Sequence, residues 1–146
     1  MLYKIELKTI SNDAKSRMPS LENIKKYLDE YSKGNNGVIV LHNSFYDYRY
    51  DTRIAYYDHV DTHGIIGHII SSSIEYDKIY LIADINEDVT IEGEYVCTYR
   101  AIMGTSIESD DTLFDQFHLF AIDLVHIAED ESLPKDKLSS IELYEN

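Results

Sequence analysis

Gly37-Val38-Ile39-Val40-Leu41-His42-Asn43 is the stretch on which the reading of this chain turns. Four consecutive apolar residues follow a glycine and run into a histidine, the pattern of a buried strand with a polar group at its end. Upstream, Pro19-Ser20-Leu21-Glu22 opens a helix, and Leu21, Ile24, Leu28 and Tyr31 give it one apolar stripe. The helix is about 12 residues long, packs on a sheet, and ends in Ser32 to Gly37. Before it, Leu2 to Ile10 alternates apolar and polar residues as a strand does, and Ser11-Asn12-Asp13 forms a turn.

Downstream of the stretch the chain reads as β. Gly64 to Ser72 and Lys78 to Ile85 are two strands joined around Glu75-Tyr76-Asp77. Glu94 to Met103 and Leu113 to Ile127 supply the rest, separated by the acidic loop Glu108 to Asp111. Asp47 to Asp61 is polar and tyrosine-rich, a long loop or an exposed hairpin, and the charged tail from Asp130 is a short helix or a frayed end. The expected order is β-α-β-β-β-β-β. It describes a single α+β domain over residues 1–146, with a mostly antiparallel, barrel-like sheet and one N-terminal amphipathic helix.

Composition narrows the function classes. At 146 residues with a hydrophobic fraction of 44%, the chain can bury one real core. No apolar run approaches a membrane span, and the N-terminus lacks the features of a signal peptide, so no membrane association is expected. A single cysteine rules out an internal disulfide and agrees with a reducing compartment. The net charge of -14 argues against direct contact with nucleic-acid phosphates and suits solubility, a basic partner surface or mimicry of a polyanion; the ordinary alternative is a solvated acidic surface. Of the 13 tyrosines, Tyr46, Tyr48, Tyr50, Tyr56 and Tyr57 cluster, as in loops that make protein contacts; the plain alternative is a hairpin whose rings cover the sheet.

Three residues make a minimal parts list for nucleophilic catalysis: His42, Cys97 and Asp123, each near a strand end or on a strand. Cys97 is either a nucleophile or a small buried hydrophobe, with Thr98 a weaker alternative nucleophile. His42 is either a general base or a histidine satisfied at the core edge, and His59 is its rival. Asp123 lies between Ile122 and Leu124 and needs a partner if buried: a histidine, or Arg100, which would signify structure only. His59 and His63, with Asp58, Asp61 and His68 nearby, have helical metal-ligand spacing. They run directly into the strand-like Gly64-Ile65-Ile66-Gly67, however, and no metal site is expected. The six glycines never gather into a phosphate loop, so no cofactor is expected either.

The order of these phrases resembles the head-maturation (prohead) proteases of tailed bacteriophages, whose fold is shared with the herpesvirus assemblin. Asn12 to Tyr31 is similar to the family's turn-basic-proline-helix opening, and Gly37 to His42 to the strand that delivers its catalytic histidine. Gly64-Ile65-Ile66-Gly67-His68-Ile69 and the hairpin Ile74 to Ile85 follow in the family's order. Phe117-His118-Leu119-Phe120-Ala121-Ile122-Asp123-Leu124-Val125 looks like its late Asp-bearing strand. The resemblance covers roughly residues 10 to 130. It implies His42 as base, Asp123 as the residue that orients it, and Val96-Cys97-Thr98 at the place of the nucleophilic serine.

The chain departs from the family in having Cys97 for the serine and Thr98-Tyr99-Arg100 after it. It also has a segment from Ile85 to Val96 too short for the helix that precedes the family's nucleophile. The resemblance thus implies a capsid-associated head-assembly component with weak or lost proteolysis, located in the virion or procapsid and assembled in the host cytoplasm. Its partners would be capsid or other virion proteins. The second reading is an active maturation endopeptidase that cleaves scaffold or capsid-precursor segments through Cys97, His42 and Asp123. From the acidic composition comes a third reading, a DNA-mimic inhibitor of a host nuclease. Oligomerisation is left open.

Overall fold

A computed structural model describes residues 1–8, 21–33, 37–46, 48, 64–104 and 116–144, without the side chains of 101–104, 116–118 and 120. The elements are β1 (Leu2–Leu7), α1 (Leu21–Tyr31), β2 (Val38–His42), β3 (Ile65–Glu75), β4 (Lys78–Ile85), β5 (Tyr95–Gly104), β6 (Gln116–His126) and β7 (Ile141–Leu143), with a 3-10 turn at Lys135–Lys137. All seven strands join one sheet in the order β5-β6-β2-β3-β4-β1-β7. This is the expected α+β architecture, with a mixed sheet: β2 and β6 run parallel and the other neighbours antiparallel.

The expectations need four adjustments. Strand β1 ends at Leu7 rather than Ile10, and β3 runs on to Glu75, past the expected end at Ser72. The charged tail carries a seventh strand, because Ile141 and Leu143 can pack beside Tyr3 and Ile5 on β1. The sheet curls without closing into a barrel. At the seam, Lys8 N–H donates to the Cys97 carbonyl at 2.7 Å and Ser139 N–H to the Tyr95 carbonyl at 2.9 Å, but no ladder forms there among the described residues. The Asn12 end of the resemblance, the tyrosines from 50 to 57, the histidine pair at 59 and 63 and the acidic loop from 108 to 111 lie outside the described residues.

Pleating gives the sheet two faces, and the site depends on which residues take which. On one face Ile5, Ile39, Leu81, Ile122 and Leu124 pack with Ile24 and Leu28 of α1. Each such side chain, fully buried, contributes about 1.5–3 kcal/mol of transfer free energy. Helix α1 is held there by Asp29, whose carboxylate accepts from Lys25 Nζ at 2.7 Å and from Ser72 Oγ on β3 at 2.8 Å. Gly67 permits the close β3–β4 approach, since a Cβ there would meet the Asp84 carbonyl oxygen at 2.1 Å. The β3–β4 hairpin turns on Tyr76 and Asp77, both at positive φ (50° and 65°), as a two-residue hairpin turn with matching twist requires.

Candidate functional site

The site sits on the sheet face opposite α1, where β2, β6 and β5 run side by side. In the parallel β2–β6 ladder Val40 lies opposite Asp123 and His42 opposite Val125. In the antiparallel β5–β6 ladder Thr98 lies opposite Asp123 and Arg100 opposite Ala121. Residues opposite one another share a face, and so do residues two apart on a strand. His42, Thr98, Arg100 and Asp123 are therefore on one face, with Asp123 in the central strand and His42 and Arg100 reaching it diagonally.

The contacts are short. His42 Nε2 and Asp123 Oδ1 are 2.8 Å apart, and Arg100 donates from Nε to Oδ2 at 2.8 Å and from Nη2 to Oδ1 at 3.0 Å. Asp123 is 0% exposed, and these donors offset the cost of burying its carboxylate. Because a carboxylate paired with a guanidinium can only accept, Nε2 of His42 carries the hydrogen. The Tyr48 ring meets the imidazole edge-on, with centroids 5.0 Å apart. Burial first, and then the nearby Asp123 charge, push the Tyr48 hydroxyl well above its ordinary value, so it stays protonated beside the cluster.

Glu131 anchors the segment that carries Tyr48. Its carboxylate accepts the backbone N–H groups of Phe45 at 3.0 Å, Tyr46 at 2.9 Å and Ala128 at 2.9 Å. The turn after β2 is thereby tied to the turn after β6, and the His42 end of the site is held from two strands. Neither Glu131 nor the Tyr48 ring contact stood out in the sequence. The signal was only an acidic residue in a charged tail and one tyrosine in a cluster.

Cys97 is elsewhere. It lies opposite Leu124 in the β5–β6 ladder and shares the α1 face with Leu124, Ile122 and Tyr95. The thiol side chain is 0% exposed. Burial, reinforced by the Asp123 charge through the sheet, pushes the thiol far above its ordinary value of 9.0, so the nucleophilic thiolate is strongly disfavoured. The structure thus brings together His42 and Asp123 of the sequence trio and puts Cys97 on the other side of the sheet. Arg100, the alternative partner for Asp123, joins the pair and does not displace it.

That addition changes what the cluster can do. In a hydrolase triad the carboxylate stabilises the imidazolium formed when the base takes a proton. Here a bidentate arginine already neutralises that carboxylate, which weakens its call on a second positive charge. Thr98 lies opposite the carboxylate by register and is 3% exposed. The constellation is chemically a buried ion network that locks three strands together. Among the described residues, no group of three His, Cys, Asp or Glu side chains is placed to hold a metal ion, and no helix is long and apolar enough to cross a membrane. The chain matches no protein-family model, no curated protein and no solved structure.

Proposed function

We propose that this chain is a non-proteolytic head-assembly component of a tailed bacteriophage, built on a frame like that of the prohead proteases and acting through contacts with capsid or neighbouring virion proteins. One observation carries the non-proteolytic half: Cys97 is buried on the face opposite His42 and Asp123, with its thiol held protonated. The assembly half draws its support from the sequence resemblance, and the net charge of -14 favours basic partner surfaces.

Labelling the native protein with a thiol-directed probe from pH 5 to 9 tests the first half. Labelling should be slow throughout, unchanged in His42→Ala, and rapid only after unfolding. Fast labelling near neutral pH that collapses in His42→Ala would restore the endopeptidase reading. Recovery of the chain with purified capsid particles tests the second half, and its absence from them would sink it.

A further inference from the structure

Strand β7 ends the sheet. Its bonds to β1 use alternate residues: Tyr144 N–H donates to the Leu2 carbonyl and Glu6 N–H to the Ser140 carbonyl, both at 2.9 Å. In an antiparallel ladder the intervening residues then turn their backbone groups the other way. The N–H and C=O groups of Ile141 and Leu143 therefore point off the edge, where no strand pairs with them among the described residues. Leu143 is 57% exposed although it is apolar.

Beside this edge lies a cleft of about 470 Å³, walled by Tyr3, Ile141 and Leu143 on one side and by Ile91 and Tyr95 across the seam. That volume falls within the roughly 300–1,000 Å³ of sites that enclose ligands. Among the described residues that line it, Glu94 is the one carboxylate and is exposed, and none is cationic. On the opposite face of β7 the exposed Glu142 adds a second negative charge. Its cross-strand neighbour Lys4 is committed to Glu75 at 2.6 Å.

We propose that the β7 edge and its cleft take an extended basic segment of a partner protein as an eighth strand. Backbone pairing with Ile141 and Leu143 would supply the register, as in other strand-addition complexes. The period of two then sorts the segment's side chains: alternate apolar residues drop into the cleft, and the residues between them, Lys or Arg, face Glu142. The segment covers an edge that is unpaired among the described residues, of the kind proteins otherwise protect. The inference rests on the chain acting by contact. It does not depend on the partner being a capsid protein.

The probe is an eight-residue peptide of alternating valine and lysine, set against octalysine and an alternating valine–glutamate peptide. Binding is read by fluorescence anisotropy and by amide hydrogen exchange. The valine–lysine peptide should bind at least tenfold tighter than either control and slow exchange at the Ile141 and Leu143 amides. Leu143→Pro removes an edge donor that β1 does not use, and should weaken binding at least tenfold more than Leu143→Ala. Glu142→Lys, an exposed change that leaves the β7 backbone intact, should shift preference towards the valine–glutamate peptide. Equal binding of octalysine, indifference to both Leu143→Pro and Glu142→Lys, or no binding would overturn the proposal. The thiol experiment reads the other question separately: a reactive Cys97 would remove the non-proteolytic reading and leave the peptide result standing.

Discussion

Replacing Arg100 with methionine removes two hydrogen bonds, at 2.8 and 3.0 Å, from a carboxylate that is 0% exposed. The methionine roughly fills the aliphatic part of the arginine's space, so the loss is mainly electrostatic. Stripping one partner from a buried ion pair costs about 3–5 kcal/mol, because the remaining charge is unsolvated and here keeps only the His42 contact among those described. That is a large share of the roughly 5–15 kcal/mol by which domains are stable, and corresponds to a fall in Tm of roughly 6–20 °C for a chain of this size.

Arg100→Met/Asp123→Leu removes both charges and leaves the His42 N–H without its Asp123 acceptor, a cost of about 1–3 kcal/mol. The double variant should therefore be more stable than Arg100→Met alone. Urea unfolding followed by circular dichroism at pH 7 measures both, with the m-value checking that the unfolded reference is shared. A loss below about 1 kcal/mol in Arg100→Met, or a double variant less stable than the single, would refute the view that the network locks these strands.

Two further predictions concern the periphery of the site and the hairpin tip. Partial burial works against the charge of Glu131, but the backbone N–H groups of Ala128, Phe45 and Tyr46 outweigh it and hold the carboxyl below its ordinary value of 4.5. Its contribution is present above the unfolded value and lost as pH falls through the lower folded one. Glu131→Gln should cost about 1 kcal/mol at pH 7, and the gap in stability to the parent should close as pH falls below the carboxyl's ordinary value of 4.5 and through its lower folded one; a gap independent of pH counts against the carboxylate's role. At the tip, Tyr76 is 98% exposed and both turn residues have positive φ. Tyr76→Asn with Asp77→Gly should therefore raise stability by about 0.5–1 kcal/mol in the same assay, and a loss would show that the tyrosine is held by something other than turn geometry.

Much of the fold was legible because its signals are local. The apolar stripe Leu21, Ile24, Leu28 and Tyr31 gives α1, and the run from Val38 to Leu41 gives β2, each with boundaries close to those observed. Strand β7 escaped notice because Ile141-Glu142-Leu143 is too short to show a period, and its stability comes from docking on β1. The site was half legible. Alternation along β5 separates Cys97 from Thr98 and Arg100, but which set meets Asp123 depends on the β5–β6 register. Whether His42 joins them depends on a parallel pairing with β6. Those are long-range facts that no window of sequence contains, and they decide which of the three side chains meet on one face.

The two halves of the buried cluster also differ in how far apart their residues lie along the chain. Arg100 and Asp123 are 23 residues apart on a single antiparallel pair, whereas His42 and Asp123 are 81 apart and meet through the parallel one. Closing the shorter loop costs less entropy, and non-local pairings are the slow part of folding. Loop-closure entropy thus favours forming the arginine–carboxylate pair before the histidine contact, which needs β2 docked alongside β6. The cluster acts as a latch: its first half is set while the chain is still assembling, and its last bond records that the two ends of the sheet core have found each other.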